Sequence, residues 1–228
     1  EDDFANFQVY AVRDKFNKGG LGGVLDDEVY FVLTSTEPNT STPKIFTTLT
    51  SEKYRDVYDN QKWNFAVKVY PEAYPNLGIV SGTTGHRVEF HGYNTIGDEV
   101  VNSFALSSSI SEANGTKMLS RKKRVYIGAH KENFTGSLLQ GTNIKISACR
   151  YWGIPLERDE IVAHAIDASN YGLFNPNENA YLFQDFKINV PKMETLALNW
   201  EFSTLTGSDS SGDFEVGDLS YGAGEIPN

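Results

Sequence analysis

Trp63-Asn64-Phe65-Ala66-Val67-Lys68-Val69 puts four apolar side chains, Trp63, Phe65, Val67 and Val69, on alternate positions. Successive side chains of an extended chain point to opposite faces, so this row shares one face of a strand. The same period recurs outward from it. Val88 and Phe90 alternate with Arg87, Glu89 and His91, and Val125, Ile127 and Ala129 alternate with Arg124, Tyr126 and Gly128. Ile144, Ile146 and Ala148 alternate with Lys145, Ser147 and Cys149. Phe186, Ile188 and Val190 alternate with Lys187 and Asn189, and Leu196, Leu198, Trp200 and Phe202 with Ala197, Asn199 and Glu201. Residues 7–12 and 29–33 also read as strands. Clusters of Gly, Asn, Pro, Ser and Asp lie between the runs and supply turn chemistry. Strands with one apolar and one polar face are antiparallel and half solvated. Many in succession predict an all-β sandwich or jelly roll.

One segment reads as a helix. Residues 156–166 follow Pro155, and Ile161, Ala165 and Ile166 share a face flanked by Leu156 and Val162. Acidic residues fill the first turn and His164 lies near the end, matching the helix dipole. Asn170-Tyr171-Gly172 is the expected stop. Residues 37–43 and 206–212 read as loops, and Pro191 as a boundary.

Composition narrows the function. The 228 residues carry 20 basic and 30 acidic side chains, a net charge of −10, which argues against a dedicated nucleic-acid binder. A hydrophobic fraction of 39% is too high for a disordered chain, and the length suffices for a substantial core. The single cysteine, Cys149, excludes an internal disulfide framework and a multi-cysteine zinc site. No apolar run approaches the roughly 18 residues of a membrane span, and no signal-peptide pattern is present. The opening Glu1-Asp2-Asp3 without an initiator Met reads as a segment of a longer or processed protein.

Residues 123–172 carry a resemblance. Lys123-Arg124-Val125-Tyr126-Ile127-Gly128-Ala129 leads through Phe134-Thr135-Gly136 to Asn143-Ile144-Lys145-Ile146. Arg150-Tyr151-Trp152, Leu156 and Glu160-Ile161-Val162-Ala163-His164 follow. This resembles the C-terminal half of a laminin-G-like, concanavalin-A-like domain. There a strand ending in Ile-Gly precedes a Phe-x-Gly turn, a strand of the type Ile-Asp-x-Val-Arg-Ile-Tyr and a short Leu-Ser-x-Glu-Glu-Ile helix. Lys145 stands where the family often has Asp, and Arg158-Asp159 replaces the usual Ser. Upstream, residues 62–67 are similar to the family's Trp-His-His-Val-Ala-Val strand.

The match spans residues 60–172 and implies a concanavalin-A-like sandwich over 1–190. Residues 191–228 then complete that sandwich or open a following unit, because 196–222 resemble the first strands of such a domain. The stretch from Arg150-Tyr151-Trp152 to Tyr171-Gly172 resembles large structural proteins of tailed bacteriophages, marine ones in particular. That resemblance implies a virion location, with an extracellular one as the alternative. It implies other virion proteins as partners, assembly as a homo-oligomer, and contact with host-surface glycans.

Retaining glucanases of this fold carry Glu-x-Asp-x-x-Glu on one strand, with an acid and a nucleophile about 5 Å apart. The nearest run is Glu157-Arg158-Asp159-Glu160, where Val162 holds the third carboxylate position and the expected element is a helix. No catalytic residue is therefore assigned. His86, His91, His130 and His164 lack metal-site spacing, no Gly-x-Ser-x-Gly elbow is present, and Gly19-Gly20-Leu21-Gly22-Gly23 lacks the Lys-Ser/Thr of a phosphate loop. Many laminin-G-like domains bind Ca²⁺, and the resemblance makes Asp209, Asp213, Glu215 and Asp218 candidate ligands, with a solvated turn as the alternative. Phe214 excludes an EF-hand loop, and Asp26-Asp27-Glu28 is a second acidic cluster.

Arg121, Lys122, Lys123 and Arg124 form the one dense basic run, read as a solvated strand start, or as a contact with an acidic patch of a neighbouring subunit or with nucleic acid. Tyr70, Tyr74 and Tyr93 are candidate platforms for a sugar ring, and Tyr151-Trp152 a further one. Trp63, Trp152 and Trp200 are expected in the core. Asn39, Asn114 and Asn133 sit in Asn-x-Ser/Thr sequons. The resemblance implies a virion structural or adhesion module, with a lectin-like domain of a secreted bacterial protein or a glycoside hydrolase of the same fold as the alternatives.

Overall fold

The computed structural model describes residues 7–16, 24–35, 44–75, 84–121, 125–131, 138–141, 144–171, 192–204, 210 and 216–220. The chain divides into two compact units, Glu1–Gly141 and Thr142–Asn228.

In the first unit, strands β1 (Phe7–Phe16), β2 (Val24–Ser35) and β3 (Leu49–Thr50) form one antiparallel sheet in that order. Strands β4 (Lys62–Pro71), β5 (His86–Ile96) and β6 (Glu99–Ile110) form a second. Helix α1 (Glu112–Ser120) follows β6, and β7 (Ala129–Lys131) and β8 (Leu138–Gly141) pair as a short ribbon.

The two three-stranded sheets pack face to face. Val29, Phe31 and Leu33 of β2 face Val88 and Phe90 of β5, with Phe104 and Ile110 of β6 in the same cluster. Phe31 is its hub, with ring centroids 4.6 Å from Trp63, 4.8 Å from Phe65 and 5.9 Å from Phe104. The first two pairs are tilted and the third is stacked, and contacts of these kinds add about 0.5–1.5 kcal/mol per pair beyond area burial. The β4 row Trp63, Val67 and Val69 packs on this core as its alternation predicts, while Phe65 stays 38% exposed. Gly97 turns β5 into β6 with φ of +59°, where a side chain would be strained although space is open.

Strand β5 departs from the half-solvated expectation. It is buried on both faces over most of its length, including Glu89, partly, and His91, Tyr93, Asn94 and Thr95. It is the central strand, and Glu89 and Asn94 are tied to β4 and β6, Asn94 donating through Nδ2 to Lys62 O at 2.9 Å and accepting at Oδ1 from Asn102 at 3.1 Å, which offsets the cost of burying them. Helix α1 corrects the expectation of one helix. Ser111 Oγ accepts from Asn114 N at its N-terminus, as an N-cap does. Gly115 inside it lets the helix approach His86, whose ring lies 2.2 Å from where a Cβ would sit.

In the second unit, β9 (Ala148–Trp152) pairs antiparallel with β10 (Leu196–Glu201). Asp218 bridges to Trp200, so residues around 218 run beside β10. Helix α2 (Arg158–Ile166) occupies the predicted place, with Glu157 as N-cap and Glu157 N donating to Glu160 Oε2 at 2.6 Å. A short 3-10 turn at Ala168–Asn170 ends at Tyr171 in the left-handed region, φ 54°. Two expected strands are shorter than read: residues 125–128 and 144–147 are irregular, and strand begins at Ala129 and Ala148. The strand expected over 186–190, the boundary at Pro191 and the loop over 37–43 lie outside the described residues, as does most of the loop over 206–212.

Candidate functional site

A dense polar cluster of the first unit lies on the face of β4 and β5 opposite the aromatic core. Register places Lys68 directly across from Glu89 and Ala66 across from His91. Two-residue spacing then sets Lys68 and Tyr70 of β4, and Glu89, His91 and Tyr93 of β5, on one face. Glu89 is the acceptor for all its neighbours. Lys68 Nζ donates to Glu89 Oε2 at 2.9 Å, His91 Nε2 lies 3.0 Å from the same oxygen, and Tyr70 Oη donates to Glu89 Oε1 at 2.5 Å. Burial alone pushes this carboxyl up, but the three hydrogen bonds and the Lys68 charge outweigh it and hold the pKa at about 2. Lys68 also lies over the Tyr70 ring, 5.1 Å from its centroid, and the Tyr93 and His91 rings stack at 6.4 Å. A carboxylate so occupied is a structural anion: both oxygens are engaged by three neighbours, and its low pKa disfavours proton transfer near neutrality.

The second unit holds a comparable knot around Asn199, which is fully buried. Arg150 Nε donates to Asn199 Oδ1 at 2.8 Å, and Asn199 Nδ2 donates to Tyr171 Oη at 3.2 Å. The Arg150 guanidinium lies 4.4 Å from the Tyr171 ring centroid and also donates to Ala168 O. Asp218 Oδ1 accepts from the backbone N–H of Asn199 at 2.9 Å and of Ser220 at 3.0 Å. These bonds join β9, β10, the turn after α2 and the segment at 218–220. Nearby, Lys192 Nζ reaches Glu160 Oε2 at 2.7 Å and Pro155 O at 3.2 Å.

The predicted site residues fall into three groups. Tyr70 and Tyr74 are brought together, ring edge to ring face at 6.4 Å, but Tyr70 Oη is committed to Glu89. Tyr93 is 2% exposed, so its ring faces protein. Arg121 is exposed just past α1, while Lys122, Lys123 and Arg124 lie outside the described residues. Of the candidate calcium ligands, Asp209, Asp213 and Glu215 lie outside the described residues, and Asp218 spends one oxygen on two backbone amides. Among the described residues no three His, Cys, Asp or Glu side chains form a metal-binding group.

His86 and His91 stand on opposite faces of β5, five residues apart. His164, expected either to cap the helix end or to be solvated, is not solvated. It is buried, its Nδ1 lies 2.7 Å from Glu160 O, and burial pushes its pKa down, which disfavours the charge the dipole argument needs. Burial likewise pushes the Cys149 thiol up, away from reactivity. The run Glu157–Glu160 opens α2, with Glu160 paired to Lys192.

Sequence reading named Glu89, Asn199 and Arg150 only as members of strand or family patterns, and His91 besides only as a histidine without metal-site spacing. The ties among them depend on strand register, which a single chain of letters does not specify. A shallow cleft lined by Lys44, Thr47, Thr48, Ser109, Ser111 and Asn114 was likewise unforeseen. No helix among the described residues is long and apolar enough to cross a membrane. Comparison with known proteins finds no matching family model, no matching curated protein and no matching solved structure.

Proposed function

We propose that this chain is a non-catalytic structural or adhesion module of a tailed-phage virion, built as a laminin-G-like, concanavalin-A-like sandwich. The observation that carries the reading is the use made of the buried polar groups. Glu89 with Lys68 and Tyr70, and Asn199 with Arg150 and Tyr171, are spent on joining strands rather than gathered around an open cleft. The face-to-face sheets of the first unit support a sandwich, and the sequence resemblance over residues 60–172 supports the family. The module packs against other virion proteins and against copies of itself. Mass spectrometry of density-gradient-purified particles tests this: the chain is expected at a fixed, high copy number per particle. Loss of the chain from particles during purification contradicts it.

The second reading is a lectin-like domain. Its support is the cleft at Lys44, Thr47, Thr48, Ser109, Ser111 and Asn114, whose hydroxyl and amide groups suit sugar hydroxyls. A glycan array with and without Ca²⁺ separates the two, and Thr47→Arg abolishes binding if this cleft is the site. A polysaccharide panel assayed for released sugar addresses the hydrolase alternative.

A further inference from the structure

Strand β6 forms an open edge. It is the last strand of its sheet and pairs with β5 without interruption from Asn102 to Ile110. Gly85 O accepts from Glu72 N on the β4 side, so His86, the next residue, turns its backbone groups toward β6, where it pairs with Ile110. Backbone direction alternates along a strand. Even-numbered residues of β6 therefore spend their N–H and C=O groups on β5, and Ser103, Ala105, Ser107 and Ser109 turn theirs outward. Among the described residues, Ser103 O is the one backbone group of this outer row that another segment reaches, accepting from Tyr54 Oη at 3.2 Å. The four side chains are exposed, while Phe104 and Ile110 face the core. Residues 100–111 hold no charged side chain and no proline. Natural sheet edges use such residues to block added strands, and this edge lacks them.

The edge runs into the shallow cleft at the start of α1, where Ser109 and Ser111 meet Lys44, Thr47 and Thr48. Lys44 is the one charged residue in that lining. Its Nζ donates to Thr48 Oγ1 at 3.3 Å, and among the described residues it forms no ion pair.

We propose that an extended segment of a partner protein adds antiparallel to β6 along Ser103–Ser109, with an acidic side chain seated in the cleft against Lys44. Three features set the chemistry of this segment. The outward N–H and C=O groups require an extended backbone, so main-chain bonds supply most of the affinity. The inner row of Phe104, Leu106 and Ile110 requires apolar side chains at alternate positions, because directly paired residues share a face. Lys44, a cation without a carboxylate in a chain of net charge −10, selects the acid. A second β6 carries no carboxylate between Val100 and Ile110, which makes a copy of this chain the poorer fit. The contact rests on the reading of the chain as an assembly module and deepens it by naming the surface that meets a neighbour.

The probe is the peptide acetyl-Glu-Val-Thr-Val-Thr-Val-amide, with a version carrying Gln for Glu. Antiparallel pairing sets its Glu opposite Ser109 and its valines opposite Ser108, Leu106 and Phe104. Added to the full chain, it is expected to slow amide exchange at Ala105, Ser107 and Ser109, read by NMR. Leu106 and Ser108, already bonded to β5, are expected to stay unchanged. Ser107→Pro removes an outward N–H without touching the β5 ladder. It is expected to weaken the peptide about tenfold, with circular dichroism checking the fold. Lys44→Gln is expected to erase the preference for the Glu peptide over the Gln peptide. Absence of protection, equal new protection at Leu106 and Ser108, or a Ser107→Pro chain that binds like the wild type overturns the proposal. So does a wild type that sediments as a dimer broken by Ser107→Pro, which makes a second copy the occupant. Peptide binding by a chain absent from particles sinks the virion reading alone; a chain found in particles that refuses the peptide sinks this contact alone.

Discussion

Lys68 and Glu89 face each other across the β4–β5 pair, nitrogen to oxygen at 2.9 Å, with side chains only 14% and 18% exposed. The pair lies on the face opposite the aromatic core, and Tyr70 and His91 complete the carboxylate's shell. Removing one partner of such a pair leaves the other buried and uncompensated. Glu89→Ala is expected to cost about 2–3 kcal/mol, read as a lower urea midpoint at unchanged slope.

The same group sets a pH dependence. Its folded pKa of about 2 lies below the ordinary 4.5, so the unfolded chain takes up the proton first. The stabilisation is complete above pH 4.5 and is lost progressively as pH falls toward 2. The stability gap between the wild type and Glu89→Gln should therefore be constant from pH 5 upward and narrow below. A gap that does not change between pH 5 and pH 2.5 would show that Glu89 is not held as the anion.

His164 acts in the same direction at higher pH. Burial lowers its folded pKa below 6.5, so the unfolded chain binds the proton first and stability falls as pH drops below about 6.5. Replacing it with Gln should flatten the stability profile between pH 7 and pH 5. NMR titration of the ring reads the same shift directly.

Helix α1 docks through a glycine. A Cβ on Gly115 would sit 2.2 Å from His86 Cγ, and His86 is 6% exposed with little room to yield. Gly115→Ala improves helix propensity but is expected to destabilise by about 1–3 kcal/mol through overpacking. Gly115→Ala combined with His86→Ala should recover part of the loss, which a double-mutant cycle measures.

Asn199 holds the second unit's strands. With its amide gone, Arg150 and Tyr171 each lose a partner in a buried setting. Asn199→Ala is expected to lose about 3 kcal/mol, seen as a lower melting temperature, and Asn199→Asp to lose less because Arg150 gains a charged partner.

The legible parts of the fold are those written in side-chain period. The rows at Trp63–Val69, Val88–Phe90 and Leu196–Trp200 became β4, β5 and β10 because alternation marks an extended chain, although β5 is buried on both faces and Asn199 of the polar row in β10 is fully buried. Residues 156–166 were legible from Pro155 and the acids beneath the helix dipole. Helix α1 was hidden because Asn114-Gly115 reads as a turn, and only the packing against His86 shows why a glycine stands in a helix. Strand β6 was hidden because serines at 103, 107, 108 and 109 mask the inward row Phe104, Leu106 and Ile110. The polar ties were not legible at all. Lys68 and Glu89 are 21 residues apart, and Arg150 and Asn199 are 49 apart, so their meeting follows from strand register.

The most direct test of the assembly reading is a cryo-electron microscopy map of purified particles, with this chain traced in the density. The reading predicts the sandwich in repeated copies on a capsid, tail or fibre, its buried polar ties intact. A map in which every structural position is filled by other chains contradicts it.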